Sequence, residues 1–359
     1  MKHIPENFDL KIDKLIPVDE FVEKLLYHPN IGYYTKKIPF GSQGDFITAP
    51  TISNLFSEIV AIWIISCWEK LGKPKNFNFV ELGPGDGSFA KVLVDTIKKF
   101  PEFNKSTKIY LYEKSDFLKK IQSKKVSNSK VKWIKNFKSI KKGPIIFFGN
   151  EFFDAIPIKQ YAFFKNNLYE KCYVFNQKNG LDETYRKASL NELSKIKSFK
   201  TLKNVKFIEY PKKGFKELDK IIHKITELGG GIMLIDYGYI NTLNKSTLQT
   251  VMKNKKIDID NLFKNLGSAD VTYLVNFSLL KEYFLKKKLK VSNVVSQKFF
   301  LEKMGIIQRA KILEKRMTQK QKEYMSSTLI RLLHKNLMGD LFKVIFAFKN
   351  KNNNFLGFN

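Results

Sequence analysis

Cysteine is nearly absent: Cys67 and Cys172 are the two in 359 residues. A chain of this length held by disulfides would use more, and neither cysteine sits in a metal-ligand cluster. Histidine is also sparse. His3, His28, His223 and His334 are scattered, so neither a metal site nor a Ser-His-Asp triad can be argued from them. No run of about 18 apolar residues occurs, the length that a membrane-spanning helix requires. The apolar stretch from Ile59 to Trp68 is far shorter. The start, Met1-Lys-His-Ile-Pro-Glu6, lacks the apolar core of a signal peptide and the Arg- and Ser-rich, acid-poor character of an organelle presequence. No membrane span and a cytoplasmic location are therefore expected. Acids are few enough to leave a net charge of +30, but only four of the 64 basic residues are arginine (Arg186, Arg309, Arg316 and Arg331). Readers of nucleic acid favour arginine for bidentate contacts. Lysine, asparagine and isoleucine are abundant and spread along the chain, which fits an AT-rich genome and a solvated lysine surface. No specific nucleic-acid partner is expected, although anionic partners are attracted non-specifically.

What is present is a globular composition, 43% hydrophobic, in a chain long enough for one large domain or two smaller ones. Helical spacing marks residues 18–29 and 53–71, with Ser53 as N-cap and Gly72 just past the end. A glycine- and proline-punctuated loop lies between them. From residue 77 apolar runs alternate with helical stretches, the rhythm of a parallel α/β sheet. Strands are expected at 77–82, 107–113, 131–134, 144–149, 205–209 and 231–236, with helices at 86–99, 115–125 and 214–228. Residues 158–204 break the rhythm with hairpin-like segments around an Asn179-Gly180 turn and read as an insertion. A second interruption covers 238–270. The tail reads as helices followed by an apolar strand at Phe342 to Phe348.

The most informative segment is Phe79-Val-Glu-Leu-Gly-Pro-Gly-Asp-Gly87. A strand ends in an acid, and a glycine-rich turn hands over to a helix. In open α/β sheets that corner is where nucleotide-like ligands bind, and Gly83, Gly85 and Gly87 let backbone approach a ligand closely. A dinucleotide site would read G-x-G-x-x-G; here the spacing is G-x-G-x-G, with Glu81 before it and Asp86 inside it. Two carboxylates are poor company for phosphate. They suit a ligand with positive charge and hydroxyls, such as S-adenosylmethionine. Glu113 closes the next strand, about 20–30 residues on, where an acid binds ribose hydroxyls. The alternative is a plain Gly-Pro turn with Glu113 a surface carboxylate.

Ile145-Ile-Phe-Phe-Gly149 reads as a buried strand, followed by Asn150-Glu-Phe-Phe-Asp-Ala-Ile-Pro157. Glu151 and Asp154 would face the crevice and suit a cationic acceptor, because a guanidinium presents N–H donors that carboxylates bind bidentately. Asp154 as a turn cap and Glu151 as a lysine partner is the alternative. Gly44-Asp45-Phe46 lies in a loop with the glycine content of an active-site cover, or in an ordinary turn capped by Asp45. Asp236 and Tyr237 close another strand and are expected to reach the crevice; Asp270 reads as a helix cap or a crevice residue.

Taken together, Pro29-Asn-Ile-Gly-Tyr-Tyr34, Gly44-Asp-Phe-Ile-Thr-Ala-Pro50, Glu81 to Gly87, Asn150 to Pro157, Ile235-Asp-Tyr-Gly238 and Ala269-Asp-Val-Thr272, in that order, resemble the MidA-like S-adenosylmethionine-dependent methyltransferases. The likeness extends to Met338-Gly-Asp-Leu-Phe-Lys-Val344. Asp86 stands where the family often has Arg or His, and Asn150 where many members have His. The resemblance implies an α/β, class I (Rossmann-like, seven-strand) methyltransferase core over 76–157 and 205–350. It also implies an N-terminal helical cover and cofactor-loop region over 1–75 and an inserted β-containing subdomain over 158–204. It implies S-adenosyl-L-methionine as cofactor, held by Gly44, Asp45, Phe46, Glu81, Gly83, Gly85, Gly87 and Glu113, with Glu151 and Asp154 beside the acceptor. The mitochondrial relative dimethylates an arginine of a respiratory complex I subunit, so a protein substrate of that kind is expected, with a homodimer admitted. A non-catalytic assembly factor, or an enzyme acting on a small molecule or RNA, remains the alternative.

Overall fold

The computed structural model of the chain describes residues 14–30, 32–36, 48–176, 180–252, 255–257, 269–350 and 354–359. A short strand, β1 (Ile16–Pro17), runs into helix α1 (Val18–Tyr27). Phe21, Val22, Leu25 and Leu26 recur at helical spacing and are buried. The helix stops at His28, whose extended backbone is the conformation favoured before a proline. A single helical turn, Tyr33–Lys36, follows. Helix α2 (Asn54–Lys70) opens at Ser53, whose side chain accepts from the Leu55 N–H at 3.0 Å. It is buried around most of its circumference, as an apolar helix inside a core should be.

Strand and helix then alternate through β2 (Phe77–Leu82), α3 (Ser88–Ile97), β3 (Thr107–Tyr112), α4 (Asp116–Lys125), β4 (Val131–Ile134) and β5 (Ile145–Asn150). The rhythm breaks at β6 (Lys159–Phe164), β7 (Asn167–Asn176) and β8 (Gly180–Lys187), which pair antiparallel. Next come β9 (Phe207–Tyr210), α5 (Lys212–Leu228) and β10 (Gly230–Tyr239). Within the second interruption, β11 (Gln249–Met252), β12 (Lys255–Ile257) and β13 (Asp270–Thr272) form a small antiparallel sheet. The chain continues through β14 (Val275–Asn276), helix α6 (Phe277–Lys286), β15 (Lys290–Val291) and β16 (Val295–Ser296). Three helices within 297–333 precede β17 (Phe342–Lys349).

The central sheet runs β15-β17-β10-β5-β2-β3-β4, with β14 beside β10 and β16 beside β17. Strands β2, β3, β4, β5 and β10 are parallel, and β17 is antiparallel to β10. The chain leaves β2 towards β3 and β4, then returns to β5 on the other side of β2. That reversal opens a crevice at the carboxyl ends of β2 and β5. Both faces of the sheet are covered, so its strands are apolar at consecutive positions. Phe79, Ile146, Phe148, Met233 and Ile235 pack with α2 and α3. Val80, Ile145, Phe147, Ile232 and Leu234 pack with Phe215, Leu218 and Ile221 of α5. Each such side chain contributes about 1.5–3 kcal/mol on burial. Cys67 and Cys172 are both buried and free.

One expectation is overturned. Residues 205–209 read as a strand of the parallel sheet, but Phe207–Tyr210 pairs antiparallel with β6. It closes a second sheet of order β1-β7-β6-β9, with β8 beside β7. A short apolar run fits the edge of either sheet; what decides is the partner strand, which puts Ile208 opposite Tyr161. The expected Asn179-Gly180 turn lies at the edge of the undescribed residues 177–179. This second sheet holds α1 through buried charge. Lys159 of β6 sits 3.2 Å from Asp19 of α1 and bonds Glu170 of β7, which Arg186 of β8 meets at 2.6 Å. Asp19, Lys159 and Glu170 are all buried.

Candidate active site at the carboxyl ends of the strands

The turn after β2 is built as its glycines require. Gly83, Gly85 and Gly87 have φ of +63°, +56° and +82°, which an L side chain adopts only with strain. A Cβ at Gly83 would also stand 3.1 Å from the Phe152 ring, and one at Gly87 3.2 Å from Val126. The Gly83 N–H donates to the Tyr112 carbonyl at 3.0 Å, which ties the turn to the end of β3.

The two acids of this turn do different things. Asp86 accepts from the Ser88 N–H and hydroxyl, both at 2.9 Å, and pairs with Lys125 at 2.5 Å. It caps the first turn of α3 and, like Glu81, also lines a cavity beside the turn. Glu81 is buried, with no hydrogen-bond partner on Oε2. Burial, together with the charges of Asp86 and Glu113, pushes its carboxyl well above the usual range. A buried carboxylate oxygen without a partner is costly and calls for a cation or a donor in the adjoining space.

Glu113 ends β3 and is buried. It accepts from the Ser115 N–H at 2.8 Å and from Gln122 Nε2 at 3.1 Å, and its second lone pairs remain available. Burial raises its pKa against the pull of those hydrogen bonds. Gln122 also donates to the Gly85 carbonyl at 2.8 Å and accepts from the Trp133 indole at 2.9 Å. It therefore locks the glycine turn to the β3 acid. No sequence signal marked it, because α4 reads as a lysine-rich solvated helix.

At the end of β5, Glu151 takes a φ of +51°. This is strained for a glutamate. Its N–H donates to the Ile235 carbonyl at 2.9 Å, and Asn150 Nδ2 donates to its Oε1 at 3.0 Å. Burial first and the Asp154 charge second lift its pKa to about 8. Asp154 accepts from the Thr272 hydroxyl at 3.0 Å. Asp236, at the end of β10, accepts from the N–H groups of Phe153 and Asp154 at 3.3 and 3.4 Å. Burial raises both Asp154 and Asp236, and Asp236 rises further beside Asp154. Three carboxyls this close cannot all be charged without a counter-cation. Asp236 thus shapes the Glu151–Asp154 turn, and Asp270 of β13 faces the Tyr34 hydroxyl at 3.2 Å.

Two cavities meet over these residues. One of about 670 Å³ runs from Tyr27 and Tyr34 past Glu113 and Ser115 to Phe152. The other, of about 430 Å³, lies against Thr48, Glu81, Phe89 and Asn150. Gly83, Gly85 and Glu151 line both. Tyr27 and Tyr34 stack with centroids 5.5 Å apart, and the Tyr27 hydroxyl donates to the Ala155 carbonyl at 3.0 Å. The structure thus brings together Glu81, Gly83, Gly85, Gly87, Glu113, Glu151 and Asp154. Gly44, Asp45 and Phe46 lie outside the described residues.

A parallel sheet with one reversed strand, a glycine turn after its central strand and acids closing two neighbouring strands define an α/β enzyme that binds a cationic, hydroxyl-bearing cofactor rather than a phosphate. Residues 59–295 match the family described as "Putative S-adenosyl-L-methionine-dependent methyltransferase", and the chain belongs to that family. It is a methyltransferase with S-adenosylmethionine as cofactor. The chain is 27% identical over 360 residues to the Drosophila melanogaster protein arginine methyltransferase NDUFAF7 homolog, mitochondrial, covering 93% of this chain and 81% of that one. It is 26% identical to the Homo sapiens protein arginine methyltransferase NDUFAF7, mitochondrial, over 85% of this chain and 74% of that one. A Burkholderia thailandensis protein crystallised with S-adenosyl-homocysteine shares the fold, with a TM-score of 0.79, 20% identity and coverage of 95% of this chain and 89% of that one.

Proposed function

We propose that this methyltransferase acts on an arginine side chain of a protein, a subunit of respiratory complex I type, with Glu151 and Asp154 holding the guanidinium. The observation that carries the reading is the pair of carboxyls at the end of β5, one of which, Glu151, lines both cavities. The names of the relatives support arginine as the acceptor.

The cofactor residues follow from the same geometry. Glu81 Oε2, buried and unpartnered, suits the amino group of the methionine portion. Glu113 suits the ribose hydroxyls, and the glycine turn allows close approach. These features fit S-adenosylmethionine, which when bound supplies a methyl group on a sulfonium. Gly44, Asp45 and Phe46 belong to the same proposal.

The chain's own residues then have two tasks. Glu151 and Asp154 orient one guanidinium nitrogen towards the reacting methyl. A guanidinium nitrogen that accepts a methyl group would have to shed a proton. Glu151, with its pKa raised to about 8, is matched to take that proton near neutral pH. A cytoplasmic location and a role in assembling the subunit belong to this reading.

The test is methyl transfer from S-adenosylmethionine to a recombinant complex I-type subunit, read by mass spectrometry with the modified residue mapped. Glu151→Gln should lower kcat at least about 100-fold, the scale of a lost general base, and leave S-adenosyl-homocysteine binding intact. If Glu151→Gln supports subunit assembly in cells as well as wild type does, the assembly role needs no catalysis.

A further inference from the structure

Beyond the two cavities a third space opens. It is an open groove of about 1060 Å³, solvent space included, and shares Tyr27, Tyr34, Lys114, Ser115 and Ile156 with the cavity that holds Glu113 and Glu151. It is therefore the outward continuation of the crevice. One wall is helix α5, where Lys213, Lys216, Glu217 and Lys220 follow one another at helical spacing and all line the groove. The opposite wall carries Lys114, Glu23 and Thr35.

The charge along this path changes sign. The inner cavities are lined by Glu81, Asp86, Glu113 and Glu151, with Asp154 and Asp236 near Glu151; burial raises Glu81, Glu113 and Glu151, and neighbouring carboxyls add to it at Glu81 and Glu151. The outer groove holds four lysines against two glutamates. Both glutamates are engaged: Glu23 pairs with Lys213, while Glu217 pairs with Lys220 at 2.9 Å and accepts from the Tyr112 hydroxyl. Among the described residues, Lys114 and Lys216 have no carboxylate within ion-pair distance, and both are exposed. An acidic floor and a basic mouth that meet at Tyr27, Tyr34, Lys114, Ser115 and Ile156 make a steep local field.

The geometry points to this groove as the docking surface for an acidic segment of the substrate polypeptide adjoining the target arginine. The inference rests on the reading of arginine as the acceptor. A cation enters the acidic floor, and Asp or Glu residues within a few positions of it meet Lys216, Lys220 and Lys114. Electrostatic complementarity of this kind sets specificity and encounter rate. The carboxylate floor disfavours RNA, whose backbone would have to lie beside it.

The experiment uses the full-length protein and a set of arginine peptides of equal length with acidic, neutral or basic flanks. Initial rates are measured at saturating S-adenosylmethionine. Binding of a fluorescent acidic peptide lacking arginine is measured separately by anisotropy. Acidic flanks should lower KM about 10-fold relative to neutral ones with a smaller change in kcat, and the advantage should shrink as salt rises. In the double variant Lys216→Glu/Lys220→Glu the preference should reverse while S-adenosyl-homocysteine affinity holds. KM indifferent to the flank in the wild type, or an RNA oligonucleotide displacing the acidic peptide and accepting methyl in its place, overturns the proposal. If no peptide is methylated but the acidic probe binds the wild type and not the double variant, the docking surface stands and the arginine chemistry falls.

Discussion

Glu81 and Glu151 are single residues with burdens they would shed if they could. Glu81 is buried with one oxygen unpartnered, so a bound cation or donor would stabilise its charged form. Replacing it by Gln keeps the shape and removes the charge. A lost charge-assisted hydrogen bond of this type costs about 1.5–3 kcal/mol, so Glu81→Gln should bind S-adenosyl-homocysteine roughly 10- to 100-fold more weakly by isothermal titration. Unchanged affinity would remove Glu81 from the cofactor contacts. Glu151 makes a prediction about stability. Its pKa rises from 4.5 to about 8 on folding, so the native state holds a proton that the unfolded chain releases. Its contribution is greatest below pH 4.5 and is lost as pH rises towards about 8. Glu151→Gln cannot titrate. It should match wild type in melting temperature near pH 5 and exceed it by about 2–4 °C above pH 8, checked by calorimetry without ligand. A difference that does not grow with pH would contradict the assignment.

At the scale of elements, β2, β3, β5 and β10 supply the acids, while α1 and the turn after it supply the tyrosines that wall the crevice. Helix α1 is held by the buried set Asp19, Lys159 and Glu170, with the exposed Arg186 at its edge, which joins it to the second sheet. Such a set adds little over apolar packing while intact, but removing one partner leaves buried charge uncompensated. Lys159→Met should therefore cost roughly 3–5 kcal/mol by urea unfolding. Because α1 carries Tyr27, whose hydroxyl anchors on Ala155, the same substitution should also weaken S-adenosyl-homocysteine binding. An unchanged unfolding midpoint would show that α1 is held by its apolar face alone. The elements legible in the sequence were those with strong period and punctuation: β2, β5, α2 and α5 fall where expected. The strand β9 was legible as a strand but not in its sheet, because a short apolar run carries no information about which partner it meets.

For the whole molecule, the lysine excess and the carboxyl-rich crevice are segregated. Carboxyls collect at the carboxyl ends of β2, β3, β5 and β10, and lysines lie over the surface and the outer groove. Among the described residues, no helix is long and apolar enough to cross a membrane. Binding of S-adenosyl-homocysteine to the native state should stabilise the chain by about 2.7 kcal/mol at 100 times Kd. The melting temperature should then rise by a few degrees and scale with the logarithm of ligand concentration. A shift that saturates at stoichiometric ligand would indicate a second, unlinked transition.

The sequence by itself determined the glycine turn, the acids that close β2, β3 and β5, and the alternation that makes a parallel sheet. These are local properties: φ above zero demands glycine at 83, 85 and 87, and apolar runs with caps set the elements. The tertiary structure alone decided which acids matter together. Asp86 and Glu81 stand five residues apart and line one cavity, yet the first is paired with α3 and Lys125 while the second keeps an oxygen without a partner. Gln122, Asp236 and Tyr34 come from separate stretches of chain and meet there only because the sheet reverses its order at β2 and β5. Long-range proximity of this kind, and the desolvation that raises Glu151, are products of packing and cannot be read from spacing along the chain.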